Sequence, residues 1–550
     1  MSCFAKGMTF LILSFVAFNS GMASWPTEID EAITFPGLSY GRFCEDGEGG
    51  AWIAGENLFG EIYVTRISRS GEVTIPNWVS IGGLYDGQFS SGMFMSEDSC
   101  LIIGYAQYEW RDTEVPKGYG YVQKVDRNGN RIWPEGGIQV TLEESSAMIG
   151  GVNAIPEICT DGRGGVYVSW LDRRHNEIHP ALYSQHINSA GDPEWGVGGV
   201  ESIHDNIGAE WNYIYSTPDS LCIVGATSPS NGIRYLKLSA TGETLFELGE
   251  SEGLEGTLIK VDADHNYYLL TYSGPQGTYI RKVSSVGEPL WGESGVLIRR
   301  TALGGPGRQA FVDNQGGFFF TWIYGHTDPN LTSRGSYFQW VSSEGFPYFE
   351  EEQRISTSIY PFHFSQSDSS HMMFVQNEVV GNSLIVYSQR VSSSGDHEWP
   401  DSTIIHIQNG QSNYALGPEN VSDGNGGEIV FFQTAFLEAK QVSRDGTIGD
   451  ITVATFPEAQ PITPKVFNCT AYPNPCNSAV TLKLDAYPST TLLLNIYNLR
   501  GKRVHVQELA KSQSLITITL SDQIIESGVY VAQLTKAEEL VAMAKFTLLK

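Results

Sequence analysis

An acidic, glycine-containing turn followed by an apolar strand recurs eight times along this chain. The four clear copies, each with a Gly-Gly pair, are Glu45–Gly55, Thr160–Trp170, Val312–Trp322 and Ser422–Phe432. Four degenerate copies begin at Ser96, Thr217, Asp262 and Ser367. One such repeat cannot bury both of its faces alone, so the repeats must stack against one another. This requirement limits the possible folds more than any other feature of the sequence.

A second feature follows each acidic turn: a strand, a polar turn with glycine, and a large apolar residue four positions later. The turn glycines are Gly71, Gly129, Gly191, Gly242, Gly287, Gly345, Gly395 and Gly446. The apolar residues are Ile75, Trp133, Trp195, Phe246, Trp291, Phe349 and Trp399, and Asp450 is the exception in the eighth copy. We expect these apolar groups to pack between neighbouring sheets.

The spacing of the repeat predicts an all-β fold. Successive turn glycines lie 45 to 62 residues apart, which suits four short antiparallel strands with their loops. We predict an eight-bladed β-propeller over residues 24–456, with a seven-bladed propeller as the alternative. The strand-like segment near Ile33 is expected to complete the last blade and close the ring.

Residues 465–550 carry a different pattern. Tyr472-Pro473-Asn474-Pro475 comes first, an apolar strand runs into Arg500-Gly501-Lys502, Ser527-Gly528-Val529-Tyr530 follows, and a basic, apolar terminus ends the chain. In order and spacing this segment resembles the type A C-terminal sorting domain of type IX secretion substrates, found in Bacteroidetes-like bacteria. The residues assigned to the sorting signal through this resemblance are Tyr472, Pro473, Asn474, Pro475, Gly501, Lys502, Gly528, Val529, Tyr530, Lys545 and Lys550.

The resemblance implies a small immunoglobulin-like β-sandwich, the outer-membrane type IX secretion machinery as a partner, and removal of the tail after passage through the outer membrane. The N-terminus agrees with export. Residues 1–23 hold Lys6, an apolar run from Met8 to Phe18, and small residues at Gly21 and Ala23, which is the pattern of a secretory signal peptide. No segment has the roughly 20 apolar residues of a transmembrane helix. We therefore predict a secreted or cell-surface protein without a transmembrane anchor.

The predicted domains are a signal peptide (1–23), the propeller (24–456), a linker (457–464) and the sorting domain (465–550). The linker contains three prolines, at 457, 461 and 464, and domain boundaries commonly fall in such segments. The formal net charge is −28. Such an acidic chain repels nucleic acid and anionic membrane surfaces, so neither is expected as a partner.

Carboxylates in the acidic turns are candidate calcium ligands, because Asp oxygens in Gly-rich turns bind hard cations. The five considered are Asp46, Asp161, Asp264, Asp313 and Asp423. Each turn has one or two carboxylates and lacks the regular ligand spacing of a calcium loop, so hairpin chemistry is the favoured interpretation. His175 and His179 are four residues apart, but Pro180 and the flanking strands favour a loop. We assign no metal or cofactor site.

The sequence assigns no catalytic residue. The body resembles DGxGG and YxQxVxxxGxxxW repeats of exported proteins with this type of tail, and these suggest no defined activity. A sialidase-like hydrolase would need two carboxylates, or a carboxylate and a tyrosine, at one central site, and no such set stands out. Quinoprotein-like dehydrogenases share a similar glycine–tryptophan turn, but their adjacent cysteine pair is missing. We favour a non-enzymatic module for a glycan or protein ligand, with a glycan-active hydrolase as the alternative.

Cys469 and Cys476 are a candidate disulfide. An exported chain meets an oxidising compartment, and the two cysteines flank the Tyr-Pro-Asn-Pro motif. In the resembled family the second position is usually Phe, a core anchor, so two small buried thiols are the alternative. A bridge needs the two Cα atoms within about 7 Å, which a strand leaving Cys469 would prevent.

Overall fold

The computed structural model describes residues 24–29, 31–57, 60–82, 87–109, 117–142, 155–172, 174, 180–204, 211–228, 232–248, 257–272, 277–285, 288–299, 309–312, 316–324, 335–349, 353–356, 362–368, 371–380, 383–392, 396–399, 402–409, 417–434, 436–449, 469–474, 476–477, 479–484, 492–498, 503–510, 515–519, 527–536 and 539–549. Within these ranges every regular element is a β-strand. The chain forms two compact units, residues 1–451 (the body) and 452–550 (the tail).

The body opens with β1 (Ile33–Phe35), and seven consecutive four-stranded sheets follow. Sheets one to four are β2 (Ser39–Glu45), β3 (Ala51–Glu56), β4 (Ile62–Ile67), β5 (Val79–Ser80); β6 (Gly87–Met95), β7 (Leu101–Glu109), β8 (Lys117–Val125), β9 (Ile138–Gln139); β10 (Glu157–Thr160), β11 (Val166–Asp172), β12 (Ala181–Ile187), β13 (Val200–Ile203); and β14 (Trp211–Ser216), β15 (Cys222–Ser228), β16 (Gly232–Leu238), β17 (Thr244–Leu248). Sheets five to seven are β18 (Thr257–Val261), β19 (Tyr267–Tyr272), β20 (Thr278–Val283), β21 (Val296–Arg299); β22 (Gln309–Val312), β23 (Phe318–Tyr324), β24 (Gly335–Val341), β25 (Gln353–Ser356); and β26 (Phe362–Asp368), β27 (His371–Val380), β28 (Ser383–Ser392), β29 (Thr403–Asn409).

The eighth sheet joins the two ends of the body. Its strands β30 (Glu419–Ser422), β31 (Glu428–Gln433) and β32 (Leu437–Val442) are completed by β1, which pairs antiparallel with β32 in the register Ile33↔Ala439. The expected pairing of the Ile33 segment is therefore confirmed. The first strands β2, β6, β10, β14, β18 and β22 contact one another in order, and β26 contacts β30. Because β2 contacts both β6 and β30, the last sheet returns to the first. The body is all-β and propeller-like.

Large anchors join neighbouring sheets. Trp195 of the third sheet covers the turn of the fourth, and its indole N–H donates to the carbonyl oxygen of Ala240 at 2.8 Å. A Cβ atom added at Gly242, which has φ +82°, would lie 2.9 Å from the Trp195 ring, so only glycine permits this close approach. Three other tryptophans donate in the same way to a backbone carbonyl oxygen of the next sheet. The pairs are Trp133 with Ser189, Trp291 with Ser343, and Trp399 with Arg444.

The eighth anchor comes from the N-terminal segment. Trp25 is 3% exposed, its indole N–H donates to the carbonyl oxygen of Arg69 at 2.8 Å, and its ring packs on Gly71 of the first sheet. The eighth repeat has Asp450 at the position of the large apolar residue, and Trp25 makes the contact with the first sheet in its place. The buried ammonium of Lys440 holds the same segment, since it donates to the carbonyl oxygens of Glu28, at 3.2 Å, and Ile29, at 2.5 Å.

The tail consists of two antiparallel sheets around one apolar core. Its strands are β33 (Cys469–Tyr472), β34 (Ala479–Leu484), β35 (Leu492–Asn498), β36 (Arg503–Leu509), β37 (Leu515–Thr519), β38 (Gly528–Lys536) and β39 (Glu539–Leu548). The sheet orders are β33-β34-β37 and β36-β35-β38-β39. Leu482 and Ile516 of the first sheet share a buried cluster with Leu494 and Phe546 of the second. Residues 457–464, the predicted linker, lie outside the described residues.

Replacing Trp25 with alanine should destabilise the body by about 3–5 kcal/mol, the usual cost of removing a buried aromatic side chain. Trp25→Phe should lose less, because it keeps ring packing on Gly71 and removes only the bond to Arg69. Urea denaturation of both variants checks this. An unchanged free energy of unfolding for Trp25→Ala would show that the N-terminal segment does not close the series of sheets.

Candidate functional site

The acidic turns are braced by their own carboxylates. Oδ1 of Asp46 accepts the backbone N–H groups of Glu48 and Gly50, both at 2.8 Å, and Gly47 and Gly49 have positive φ. Asp161 and Asp423 repeat this pattern, and in the fifth sheet Asp262 makes these bonds. Asp264, one of the five carboxylates considered as calcium ligands, contributes its backbone N–H to this brace.

In six of the turns that the structure describes, the second carboxylate oxygen meets a residue on the third strand. Arg66 binds Asp46 at 2.6 Å and Lys282 binds Asp262 at 3.1 Å. His186 takes this place opposite Asp161 at 3.0 Å. In the second and fourth sheets the turn position of Asp46 is taken by Ser96 and Thr217, and the carboxylate stands two residues after it. There Lys124 binds Asp98, and Lys237 binds Asp219.

These bonds shift the carboxyl pKa values. Burial raises the pKa of Asp98, but hydrogen bonds from Lys124 and Ser96 outweigh burial and hold it below its ordinary value. Asp219 and Asp262 follow the same pattern. Because backbone N–H groups and third-strand cations occupy the oxygens of Asp46 and Asp262, these turns act as structural braces. Asp313, His175 and His179 lie outside the described residues.

A shallow depression lies beside the turns of sheets three to five and includes Thr160, Thr217 and Asp262. Two of its hydroxyl groups already have partners, since Thr160 donates to Glu97 at 2.7 Å and Thr217 donates to Asp219 at 2.5 Å. These two threonines therefore stabilise the turns.

Each first strand also contributes one residue to a second set of matching positions. We call ring residues the first-strand residues that pair with the fourth residue of the second strand or, in the seventh sheet, where the second strand begins one residue earlier, with the fifth. They are Arg42, Gly92, Glu157, Tyr213, Thr257, Gln309, His363 and Glu419. Because β6 contacts both β2 and β10, this register places the ring residues of sheets one to three on neighbouring strands.

Arg42, Glu56 and Glu157, here called the Arg42 cluster, are electrostatically coupled. Burial raises the pKa of both Glu56 and Glu157 to about 7, although the positive charge of Arg42 lowers both values. Both carboxyls are half-buried and Arg42 is exposed. A pKa near 7 means that each carboxyl is present in both forms at neutral pH, so it can donate or accept a hydrogen bond.

Arg42 and Glu157 stand on sheets one and three, with Gly92 at the matching position on the sheet between them. Within the described part of the chain, Arg42 makes no ion pair with Glu157 at 4.0 Å or less. A Cβ atom added at Gly92 would have only the Ile158 side chain nearby, at 3.7 Å. Arg42 and Glu157 thus stand on either side of a position without a side chain.

The tail shows two roles among the sorting residues. Asn474 braces the last strand: its side chain accepts the N–H of Thr547 at 2.9 Å and donates to the carbonyl oxygen of Lys545 at 3.1 Å. Tyr472, Pro473, Asn474 and Lys545 are exposed. Tyr530 is buried and stacks on Phe546, with ring centroids 5.8 Å apart.

Gly528 and Val529 begin β38, while Pro475, Gly501, Lys502 and Lys550 lie outside the described residues. Cys476 occupies the tail core as a free thiol, 2% exposed, and burial raises the pKa of this thiol. Cys469 stands in β33, and its side chain is not among those described. The disulfide between Cys469 and Cys476 stays a prediction.

Comparison with known families identifies the tail. Residues 470–548 match the secretion system C-terminal sorting domain. The chain carries an export signal for the type IX machinery. It is therefore delivered to the cell surface or secreted, and the predicted localisation is confirmed. In the part of the chain that the structure describes, no helix has the length and apolar character needed to cross a membrane.

Similarity of the body to solved structures is low. An ulvan lyase bound to -[GlcA(1-4)Rha3S]- has 10% identity and a TM-score of 0.37, over 78% of this chain and 98% of the lyase. Dipeptidyl peptidase 4 of Porphyromonas gingivalis has 10% identity and a TM-score of 0.36, over 77% and 66%. Prolyl oligopeptidase B of Galerina marginata has 10% identity and a TM-score of 0.41, over 72% and 55%. No protein of curated function matches this chain significantly. These similarities assign no activity.

Replacing Arg42 with glutamine should raise the pKa values of Glu56 and Glu157 above about 7, because the variant removes the positive charge that lowers them. Carboxyl ¹³C NMR titration of protein labelled at glutamate measures this change. Arg131→Gln is the matched control, since Arg131 pairs with Glu135 elsewhere. Identical titrations in wild type and Arg42→Gln would show that the three residues are not coupled.

Proposed function

We propose that this protein is an exported eight-bladed β-propeller that acts as a non-enzymatic binding module for a glycan or protein ligand. The eight four-stranded sheets of the body support the blade number. Its tail, residues 465–550, is proposed to be an immunoglobulin-like sandwich that directs type IX secretion, joined through the Pro-rich linker 457–464. We also propose that residues 1–23 are a signal peptide, which directs the chain to the periplasm.

The Arg42 cluster carries the binding part of the proposal. Groups with strongly perturbed pKa values mark candidate functional sites. Arg42 offers several donors, and each carboxyl near its pKa both donates and accepts. Hydroxyl groups of a sugar, or backbone amides of a peptide, need this mixture of donors and acceptors. The acidic body favours neutral or cationic ligands over polyanions.

One observation favours the alternative, a glycan-active hydrolase. Glycosidases use two carboxyl groups, one of them with a raised pKa that serves as general acid. Glu56 and Glu157 are two carboxyls with a pKa of about 7 beside the same arginine. If the protein binds glycans and does not hydrolyse them, Glu56 and Glu157 serve only as hydrogen-bonding partners of the ligand.

The purified secreted protein should bind components of a glycan array or a peptide array saturably, and should not turn over fluorogenic glycosides. Glu157→Gln and Arg42→Gln should each weaken binding about tenfold, the cost of one hydrogen bond to a charged group. Glu135→Gln, on an exposed side chain far along the second sheet, should bind as wild type. Turnover that Glu157→Gln abolishes and Glu135→Gln preserves would establish the hydrolase instead.

Deleting residues 529–550 should trap the protein in the periplasm, because the deletion removes most of β38 and all of β39 from the tail.

Asn474→Ala should reduce surface delivery, because it removes the hydrogen bonds that hold β39. Lys483→Ala, which changes an exposed side chain of β34, should not reduce it. Cell fractionation with immunoblotting measures both. The delivered protein should lack the sorting domain. Normal delivery of the truncated chain would contradict the secretion route.

A further inference from the structure

The eighth sheet replaces two apolar core positions with polar residues. The first residue of its second strand is Glu428, paired with Val442. The matching residues of the other sheets are Ala51, Leu101, Val166, Cys222, Tyr267, Phe318 and Met372, all buried and paired with Ile, Val or Leu on the third strand.

The first strand of the eighth sheet shows a second replacement, Asn420. Its counterparts are Phe43, Met93, Ile158, Ile214, Leu258, Ala310 and Phe364. Asn420 and Glu428 both face the seventh sheet, as their contacts show. The interface between sheets seven and eight is therefore polar at two positions that are apolar in the other sheets.

Four residues form a hydrogen-bonded chain across this interface, here called the seam network: His363, Ser388, Asn420 and Glu428. The Ser388 hydroxyl and the Asn420 side-chain amide each donate to a carboxyl oxygen of Glu428. Nδ1 of the His363 ring lies 2.7 Å from Oδ1 of Asn420. His363 and Ser388 belong to the seventh sheet, and Asn420 and Glu428 to the eighth.

The network connects a fully buried carboxyl with a ring residue. Glu428 and Ser388 are 0% exposed and Asn420 is 2% exposed, whereas His363 is half-buried among the ring residues. Burial raises the pKa of Glu428 to about 8, although the bonds from Ser388 and Asn420 lower it, and the charge of Asp423 raises it further. At neutral pH the carboxyl is mostly protonated, and the Ser388 hydroxyl can then accept its proton in a hydrogen bond.

The other charged groups of the packed strands have partners of their own. Arg390 on β28 lies 3.7 Å from Glu398, and Lys440 on β32 donates to the carbonyl oxygens of Glu28, Ile29 and Ile405. Asp423 accepts two backbone N–H groups of its own turn and the Gln441 amide. The charge that acts on Glu428 is the negative one of Asp423, so ionised Glu428 has no cation beside it among the described residues.

We propose that the seam network is a proton-operated lock between the seventh and eighth sheets, closed while Glu428 is neutral and loosened when Glu428 ionises. An uncompensated charge in an apolar interface is costly, and separation of the sheets lets water reach the carboxylate. The lock lies beside the eighth sheet, in which the two ends of the body meet.

The direction of the pH effect follows from the pKa values. An unfolded glutamate ionises near its ordinary pKa, whereas folded Glu428 ionises near 8. The folded state thus holds the extra proton between these values, so the contribution of this group to stability is complete at acidic pH and is lost as the pH rises to about 8.

The test compares the purified protein with Glu428→Gln. Glutamine does not ionise, and it can donate to Ser388 and accept from Asn420, so both bonds are retained. The wild-type melting temperature should fall between pH 5 and pH 9 by at least about 2 °C more than that of Glu428→Gln. Glu135→Gln, at an exposed site, should follow wild type. Parallel pH profiles of wild type and Glu428→Gln would overturn the proposal.

Hydrogen exchange of the wild-type protein provides a second measurement that needs no variant. After correction for the intrinsic pH dependence of exchange, protection of β28 and β30 should decrease between pH 6 and pH 9. Protection of β12 and β14, at the interface of sheets three and four, should stay constant. Equal changes at both interfaces, or none at either, would also overturn the proposal.

Discussion

Packing of a large apolar side chain of one sheet onto the glycine turn of the next is the contact on which the body depends. A four-stranded sheet with two apolar faces exposes one of them until a neighbour covers it, so each sheet is stable only within the series. At Trp195, the hydrogen bond from the indole N–H to the carbonyl oxygen of Ala240 holds the ring in place on the turn of the next sheet. Trp25 completes the series, which makes the N-terminal segment part of the core.

The charged groups of the body occur in three different environments. In the acidic turns, carboxylates such as Asp46 are paired with third-strand cations and backbone N–H groups, so they stabilise hairpins. In the seam network, Glu428 is buried with hydrogen-bond donors, and no cation lies beside it among the described residues. In the Arg42 cluster, Arg42 and Glu157 make no ion pair with each other, and Gly92 stands at the matching position between them.

Much of the candidate site could not be predicted from sequence. Arg42 and Glu157 are 115 residues apart along the chain, and neither belongs to the acidic turn or the anchor motif. A signal was present, because both stand four residues before the turn aspartate of their repeat. However, the pKa values of Glu56 and Glu157 depend on burial by neighbouring sheets, which the repeat does not encode. The same limit applies to the fifth turn, where Asp262 and Asp264 both fit the turn pattern and only the backbone geometry shows that Asp262 accepts the N–H groups.

The sequence by itself determined the all-β class, the repeat of turn and anchor, the pairing of the Ile33 strand and the export signal of the tail. These properties are local: each depends on residue types at fixed short spacings, such as the glycine four positions before Trp195. Only the tertiary structure decided that Trp25 replaces the anchor missing at Asp450, that Tyr530 belongs to the tail core, and that Glu428 faces the seventh sheet. Burial and charge pairing arise from residues distant in the chain, so the physical environment of a side chain is fixed only when the sheets have packed together.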